Sequence, residues 1–283
     1  MQVIRNLVAS GILCLVASGS LWGQWIGKQT GCYADSMAAN PNRPTVADPA
    51  DITQYGVLEL EYGWDHLWAE DGGRQTSLGG LLKFGLLCDL ELRWNTTSFL
   101  SMTDAGGSRR GFGDNWVGPQ MRFYKQTRRV PSMAFGYAAK IPSASTDKEL
   151  GSGRVDHSIT FLASKDIAGV HFDFNATRFV IGRENASGFD QNSEFNLAFS
   201  HPLHGKLLFT GELYGNTRLN PANPRFVSSL WSLTYAISPR LILDSGFETG
   251  LSSGGPHRHL FVGFTYSIGN LYPGYRRRQL DHR

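Results

Sequence analysis

Three groups of residues in this 283-residue chain could do chemistry. The first is a set of charges sown among apolar residues at every second position: Glu59, Glu61, Lys83, Glu91, Arg93, Arg122, Asp173 and Glu212. Such charges on one face of a sheet can pair across a wall, or line a passage and select what enters it. The second is histidine, above all His157 followed directly by Ser158. A serine beside a histidine base, oriented by a third polar group, is the equipment of an acyl hydrolase. The third is the pair Cys32 and Cys88, which remain once Cys14 leaves with an N-terminal signal.

The hydrolase reading meets an obstacle in geometry. Neighbouring residues of a strand point to opposite faces, so His157 and Ser158 cannot meet as base and nucleophile. His201, His204, His257 and His259 fall near turns or strand ends. His257-Arg258-His259 sets two imidazoles on one face, but a loop position makes a solvated rim the simpler reading. Cys-x-x-Cys is absent, and no helix carries a His-x-x-x-His pair. Gly111-Phe112-Gly113 precedes no helix, so it serves a strand approach rather than a phosphate. The sequence therefore assigns no catalytic residue, no metal ligand and no cofactor. A net charge of +3 gives no case for nucleic acid.

What must position the charges is a sheet. From Leu78 to Leu100, around a tight Leu87-Cys88-Asp89 connection, Leu82, Phe84, Leu86, Leu90, Leu92 and Trp94 alternate with Lys83, Glu91 and Arg93. That period of two is a hairpin with one apolar and one charged face. The pattern recurs over twelve candidate strands between Val57 and Ile268, most of 10 to 13 residues. Short turns, as at Cys88, Arg128-Arg129 and Ser238-Pro239, alternate with longer Gly-, Asp- and Asn-rich loops such as 101–114 and 143–154. Short turns at one rim and long loops at the other describe an up-and-down transmembrane barrel. Side chains fill a barrel interior at about eight strands, so an apolar face turned inward would leave twelve strands underfilled. The apolar face is expected outside, on lipid, and the charges in a wet lumen.

Residues 1–23 read as a secretory signal, with Arg5 before a short apolar run. Residues 24–56 lack periodicity and read as an extended periplasmic leader, 57–268 as the barrel, and 269–283 as a basic tail through Arg276-Arg277-Arg278.

Several segments resemble one known family. Leu82-Lys83-Phe84-Gly85-Leu86 with Leu90-Glu91-Leu92-Arg93 is similar to its second-strand hairpin. Gly111-Phe112-Gly113-Asp114 leading to Gly118-Pro119-Gln120 resembles the approach to its fourth strand. Asn42-Arg43-Pro44-Thr45 before Val57-Leu58-Glu59-Leu60-Glu61 matches its lead-in, and Leu162-Ala163-Ser164-Lys165-Asp166 the end of its sixth strand. The family is the outer-membrane "MetA-pathway of phenol degradation" group, and the resemblance runs from about Asn42 to Tyr272. It implies uptake of aromatic compounds but brings no defined set of functional residues. The chain departs from common barrel practice at its end, where a basic tail follows the last aromatic of the final strand.

The sequence thus predicts a single all-β, up-and-down antiparallel transmembrane barrel of about twelve strands, exported to a Gram-negative outer membrane. Its expected partners are outer-membrane lipid and a small solute, aromatic or otherwise hydrophobic, that it passes. Two rivals stand beside this: a barrel enzyme acting on lipid, and a structural barrel with a plugged lumen. Oligomeric state is left open. The topology puts Cys32 and Cys88 on the same side of an oxidising envelope, which predicts a disulfide between them.

Overall fold

The computed structural model describes residues 37–183, 186–221 and 223–272. Within them the chain forms β1 Val57–Trp68, β2 Arg74–Leu87, β3 Leu90–Asp104, β4 Gly107–Gly111, β5 Asn115–Tyr124, β6 Ser132–Ile141 and β7 His157–Ile167. It continues with β8 Val170–Gly182, β9 Phe189–His204, β10 Leu207–Asn216, β11 Phe226–Ser238, β12 Leu241–Gly250 and β13 Arg258–Asn270. Each strand pairs antiparallel with its neighbours, and β1 closes on β13. Twelve strands make the closed ring. β4 stands outside it, folded back on the distal end of β3.

β4 lies in a stretch expected as a loop. Its hairpin turns through Ala105-Gly106 and is braced by Arg109 on Asp104 at 2.7 Å. The β2–β3 hairpin turn lies where expected, as do the connections at Arg128-Arg129 and Ser238-Pro239. At Ala168-Gly169 both residues adopt positive φ, 51° and 85°, the geometry that matches a two-residue turn to strand twist. The last strand runs to Asn270, two residues past the expected barrel end.

The faces are inside-out relative to a soluble protein. Lys83, Glu59 and Glu61 have no exposed surface, and Glu91 and Glu212 have 1% each. Leu197, Leu213 and Trp94 are about half exposed on the outer wall. This is the alternation of a barrel whose exterior meets hydrocarbon.

The correction concerns the leader. Residues 37–56 are not extended below the barrel: Ala39, Ala47, Ala50 and Ile52 are buried within it. The expected signal segment, Cys32 and tail residues 273–283 lie outside the described residues. Cys88, in the β2–β3 turn, is disulfide-bonded, and its partner also lies outside them.

Leu197→Arg, mid-strand on the outer wall, should destabilise the barrel by about 2–4 kcal/mol in lipid. Asn95→Arg, which faces the lumen, should cost under about 0.5 kcal/mol. Urea titration of the vesicle-folded barrel measures both, and equal losses would mean the faces are reversed or mixed.

Candidate functional site: an occupied lumen

Backbone placed at membrane depth outside a sheet needs hydrogen-bond partners from somewhere. Here the wall supplies them. The segment enters at the short-turn rim, where Ala39 N–H donates to the Pro239 carbonyl at 2.8 Å. Asn40 N–H then donates to Glu59 at 2.7 Å, and Asn42 and Arg43 N–H to the two oxygens of Glu61, both at 2.8 Å. At mid-barrel, Val46 and Ala47 N–H share Glu212, each at 2.7 Å. The chain then turns back. Asp48 N–H donates to Asn175, Ala50 to Ser164 and Thr53 to Glu91, before the segment meets β2 at Gly85 and becomes β1. Between Asn40 and Thr53, three prolines have no N–H, and eight of the remaining eleven residues donate theirs to wall side chains.

Charge fixes how the segment lies across the lumen. Lys83, Arg93, Arg122 and Lys140 line one arc, on β2, β3, β5 and β6, with Glu91 on β3 the acidic residue among them. The opposite arc, from β8 round to β1, carries Asp173, Glu194, Glu212, Asp244, Glu248, Glu59 and Glu61. The segment matches this division. Its Arg43 reaches the acidic arc, with Nη2 3.0 Å from Asp244. Its Asp48 and Asp51 reach the basic arc, 2.8 Å from Arg93 and 2.6 Å from Arg122. Asp48 also accepts a hydrogen bond from the Asn42 side-chain amide at 2.6 Å.

Arg43 also has a slot cut for it. Gly63 and Gly263 sit opposite each other on β1 and β13. A Cβ on either would lie 2.5–2.6 Å from the arginine side chain. Phe261 lies beneath, 6.0 Å from the guanidinium carbon. Glycine inside a strand marks a close approach, and here the approaching group is this arginine.

All eight charges singled out in the sequence face the lumen, with two kinds of work between them. Lys83 bridges Glu59 and Glu61 across neighbouring strands at 2.7 and 2.6 Å and also holds the Asn40 carbonyl. Lys83 thus pairs wall to wall and also touches the segment. Glu59, Glu61, Glu91, Glu212, Arg93 and Arg122 grip the inserted segment directly. Asp173 reaches it through Ser164, whose hydroxyl donates to Asp173 at 2.5 Å and accepts from Ala50. The segment's own Arg43, Asp48 and Asp51 escaped the sequence reading because no periodicity marks them. The paired glycines were the available signal.

His157 turns outward against Tyr137, its Nδ1 2.8 Å from the phenol oxygen, while Ser158 lines the lumen. His259 sits between Glu248 and Asp65, at 2.8 and 3.2 Å. Above the segment, toward the long loops, two cavities of 520 and 350 Å³ share Asp48, Arg93 and Asn95 in their walls. Below it, toward the short turns, lies a smaller one of 120 Å³.

Residues 39–268 match the family described as "Putative MetA-pathway of phenol degradation". The chain belongs to that family. The match begins at Ala39, where the inserted segment enters, so that segment is part of the shared unit. No curated protein matches the chain. Among solved structures, the COG4313 outer membrane channel from Pseudomonas putida F1 is similar at 13% identity, over 78% of this chain and 99% of that one, with a TM-score of 0.62. The NanC porin follows at 10% identity, over 75% and 100%, with a TM-score of 0.52. The KdgM porin has 8% identity, 75% and 99% coverage, and the same TM-score of 0.52. At such identities the shared property is the fold, that of an outer-membrane barrel.

Gly263→Ala should dislodge Arg43, and Arg43→Ala should strand the buried Asp244. Either change should speed amide exchange over residues 39–53 by about tenfold or more, since one lost ion pair in a poorly solvated site exceeds about 1.4 kcal/mol. Exchange by mass spectrometry reads this directly. Unchanged protection would mean that Arg43 does not hold the segment.

Proposed function

We propose that the chain is a gated outer-membrane channel for small solutes, with residues 39–55 as the barrier. The observation that carries this is the way the barrier is held. Its contacts are hydrogen bonds and ion pairs that water can replace, and open volume lies above and below it. A permanent core would instead bury large apolar side chains, and the segment's buried residues are mostly small. The family's name and the neighbouring channel and porins support passage of solutes. The phenol of the family name favours aromatic or otherwise apolar ones. The lumen charges Glu59, Glu61, Lys83, Glu91, Arg93, Arg122 and Glu212 then act as the seat of the gate, and set selectivity by deciding when and how far it opens. The chain acts on no bond in this reading.

The same reading places the short-turn rim and the described N-terminal segment in the periplasm, with export through a signal over residues 1–23 that is removed. It assigns the partner of Cys88 as Cys32, which would tie the barrier to the first hairpin from its upstream end.

In planar bilayers the wild-type barrel should conduct weakly, and Arg43→Ala with Asp51→Asn should raise the conductance several-fold. Equal conductance in barrels whose segment has become open to protease would overturn the gate. Liposome swelling should then be faster with neutral aromatic alcohols than with sugars of similar size; equal or faster sugars would overturn the preference.

The disulfide is tested separately. Alkylation of the unreduced mature protein should leave both cysteines unmodified, and digestion should give one linked peptide containing Cys32 and Cys88. Two alkylated thiols would exclude the bridge.

A further inference from the structure

On the outer wall, at the long-loop rim, Trp68 of β1 pairs in register with Arg74 of β2 and with Arg258 of β13. Directly opposed residues of an antiparallel pair share a face. Trp68 belongs to the same outward set of β1 as Trp64, so both arginines point outward beside it. One row below, His66 pairs with Thr76, Thr76 with Ser101, and Ser101 with Arg110 of β4. That register puts a third arginine on the same face. The His66 ring lies between those of Trp64 and Trp68, with centroids 5.8 and 4.2 Å away.

Two observations say what this patch meets. The first is charge without a partner. Arg74, Arg110 and Arg258 are exposed, and among the described residues none of them is ion-paired. Arg109 and Arg183 at the same rim differ, held by Asp104 and Asp190 at 2.7 Å each. The acids of the β1–β2 turn are Glu70 and Asp71, and Asp71 is turned onto the Gly73 N–H at 2.9 Å. Farther round the barrel, the rim of β10 and β11 presents Leu213, Gly215 and Val227 to lipid, with no outward charge on either strand. The second observation is depth. Ten residues separate Leu58, the first outward residue of β1, from Trp68. On a strand tilted by about 40° they climb roughly 25 Å, the height of the apolar band of an outer-membrane barrel. The arginines therefore stand at the edge of the hydrocarbon, at the level of lipid headgroups. Below them the wall is apolar, through Leu78, Leu260 and Val262.

We propose that the β13–β1–β2 wall is a binding site for one phosphorylated glycolipid, with Arg74 and Arg258 each on a phosphate. Trp68 lies under the sugar, and the acyl chains run down Leu78, Leu260 and Val262. Two strand spacings set the arginine backbones about 10 Å apart, on the scale of a disaccharide phosphorylated at both ends. The planar guanidinium fork matches phosphate oxygens in pairs, and an indole suits a place that is apolar on one side and wet on the other. Arg110 adds a third positive charge beside the pair. That the lipid belongs to the outer leaflet rests on the orientation proposed above; the site itself does not.

The test titrates the full-length mature barrel, in a non-ionic detergent, with bisphosphorylated lipid A and reads bound lipid by native mass spectrometry. Lipid A stripped of phosphate, phosphatidylglycerol and inorganic phosphate are the comparison probes. The wild type should retain one bisphosphorylated lipid and hold each comparison lipid at least about tenfold more weakly. Arg74→Gln and Arg258→Gln should each weaken binding by about fivefold, and together by about thirtyfold. Lysine at both positions keeps the charge and should restore most of the affinity. Arg178→Gln removes a single outward arginine of β8, hydrogen-bonded to Ser193 and Gln191, and should change nothing. Phosphatidylglycerol held as tightly, inorganic phosphate displacing the lipid at equal concentration, or an equal loss in Arg178→Gln overturns the site. A tag inserted after Asn220, elsewhere on the same rim, and stained by antibody on intact cells tests the orientation alone. Arginine-dependent binding with the tag hidden overturns the orientation and leaves the site. A tag open to antibody, with binding indifferent to the arginines, overturns the site and leaves the orientation.

Discussion

Peptide backbone without secondary structure can rest at membrane depth only where its N–H groups find acceptors. Most features of this lumen follow from that constraint. A segment of fourteen residues, Asn40 to Thr53, crosses to mid-barrel and back with no sheet partner of its own. Glutamates placed at alternate wall positions meet it, and Glu61 and Glu212 each accept two adjacent N–H groups through both oxygens. Charged acceptors make shorter and stronger hydrogen bonds than neutral ones. Buried carboxylates that would be a liability in a soluble core are here the complement of a polar guest. Lys83 on β2 then offsets the like charge of Glu59 and Glu61, which would otherwise repel each other along β1.

The division of the wall into a basic and an acidic arc adds direction to that support. Hydrogen bonds alone would let the segment slide, since one N–H resembles the next. Arg43 and the two aspartates cannot exchange places without setting like charges together, so they fix the register. The glycine pair Gly63 and Gly263 fixes depth, because a Cβ on either would overlap the guanidinium seated there. Shape and charge thus specify one seat for a segment whose composition shows no regular structure.

The sequence was legible wherever a period existed. Strand alternation around Cys88 located the hairpin to within a residue, and the parity of loop lengths pointed to a closed up-and-down ring. Inside and outside followed from Glu91 and Arg93 sharing a face against Leu92 and Trp94. β4 was not legible, because five residues with two arginines and two glycines carry no alternation to read. The inserted segment was not legible for a deeper reason. Proline, asparagine and aspartate signal the absence of helix and strand, and that absence is common to a chain in water and a chain clamped in a polar lumen. What distinguishes the two is the acceptors, which come from strands up to 170 residues away in sequence; Val46 meets Glu212 across 166.

The balance of forces also explains how one fold can be both closed and passable. The wall is held by ladders that close on themselves, so opening any seam would expose paired backbone to hydrocarbon. The segment is held by contacts whose net worth is modest, because each broken hydrogen bond is replaced by one to water; a typical exchange is about 0.5–1.5 kcal/mol. Its buried apolar residues are chiefly Ala39, Ala47 and Ala50 with Ile52, and alanine loses little on exposure. Leaving the lumen would also restore conformational freedom to a dozen residues, at roughly 1–2 kcal/mol each. Against that entropy, the ion pairs of Arg43, Asp48 and Asp51 with the wall weigh directly on whether the segment stays seated. A segment packed with leucine in the same place would be a stopper. Built from proline, alanine and paired charges, it has the make-up that the proposed gate requires.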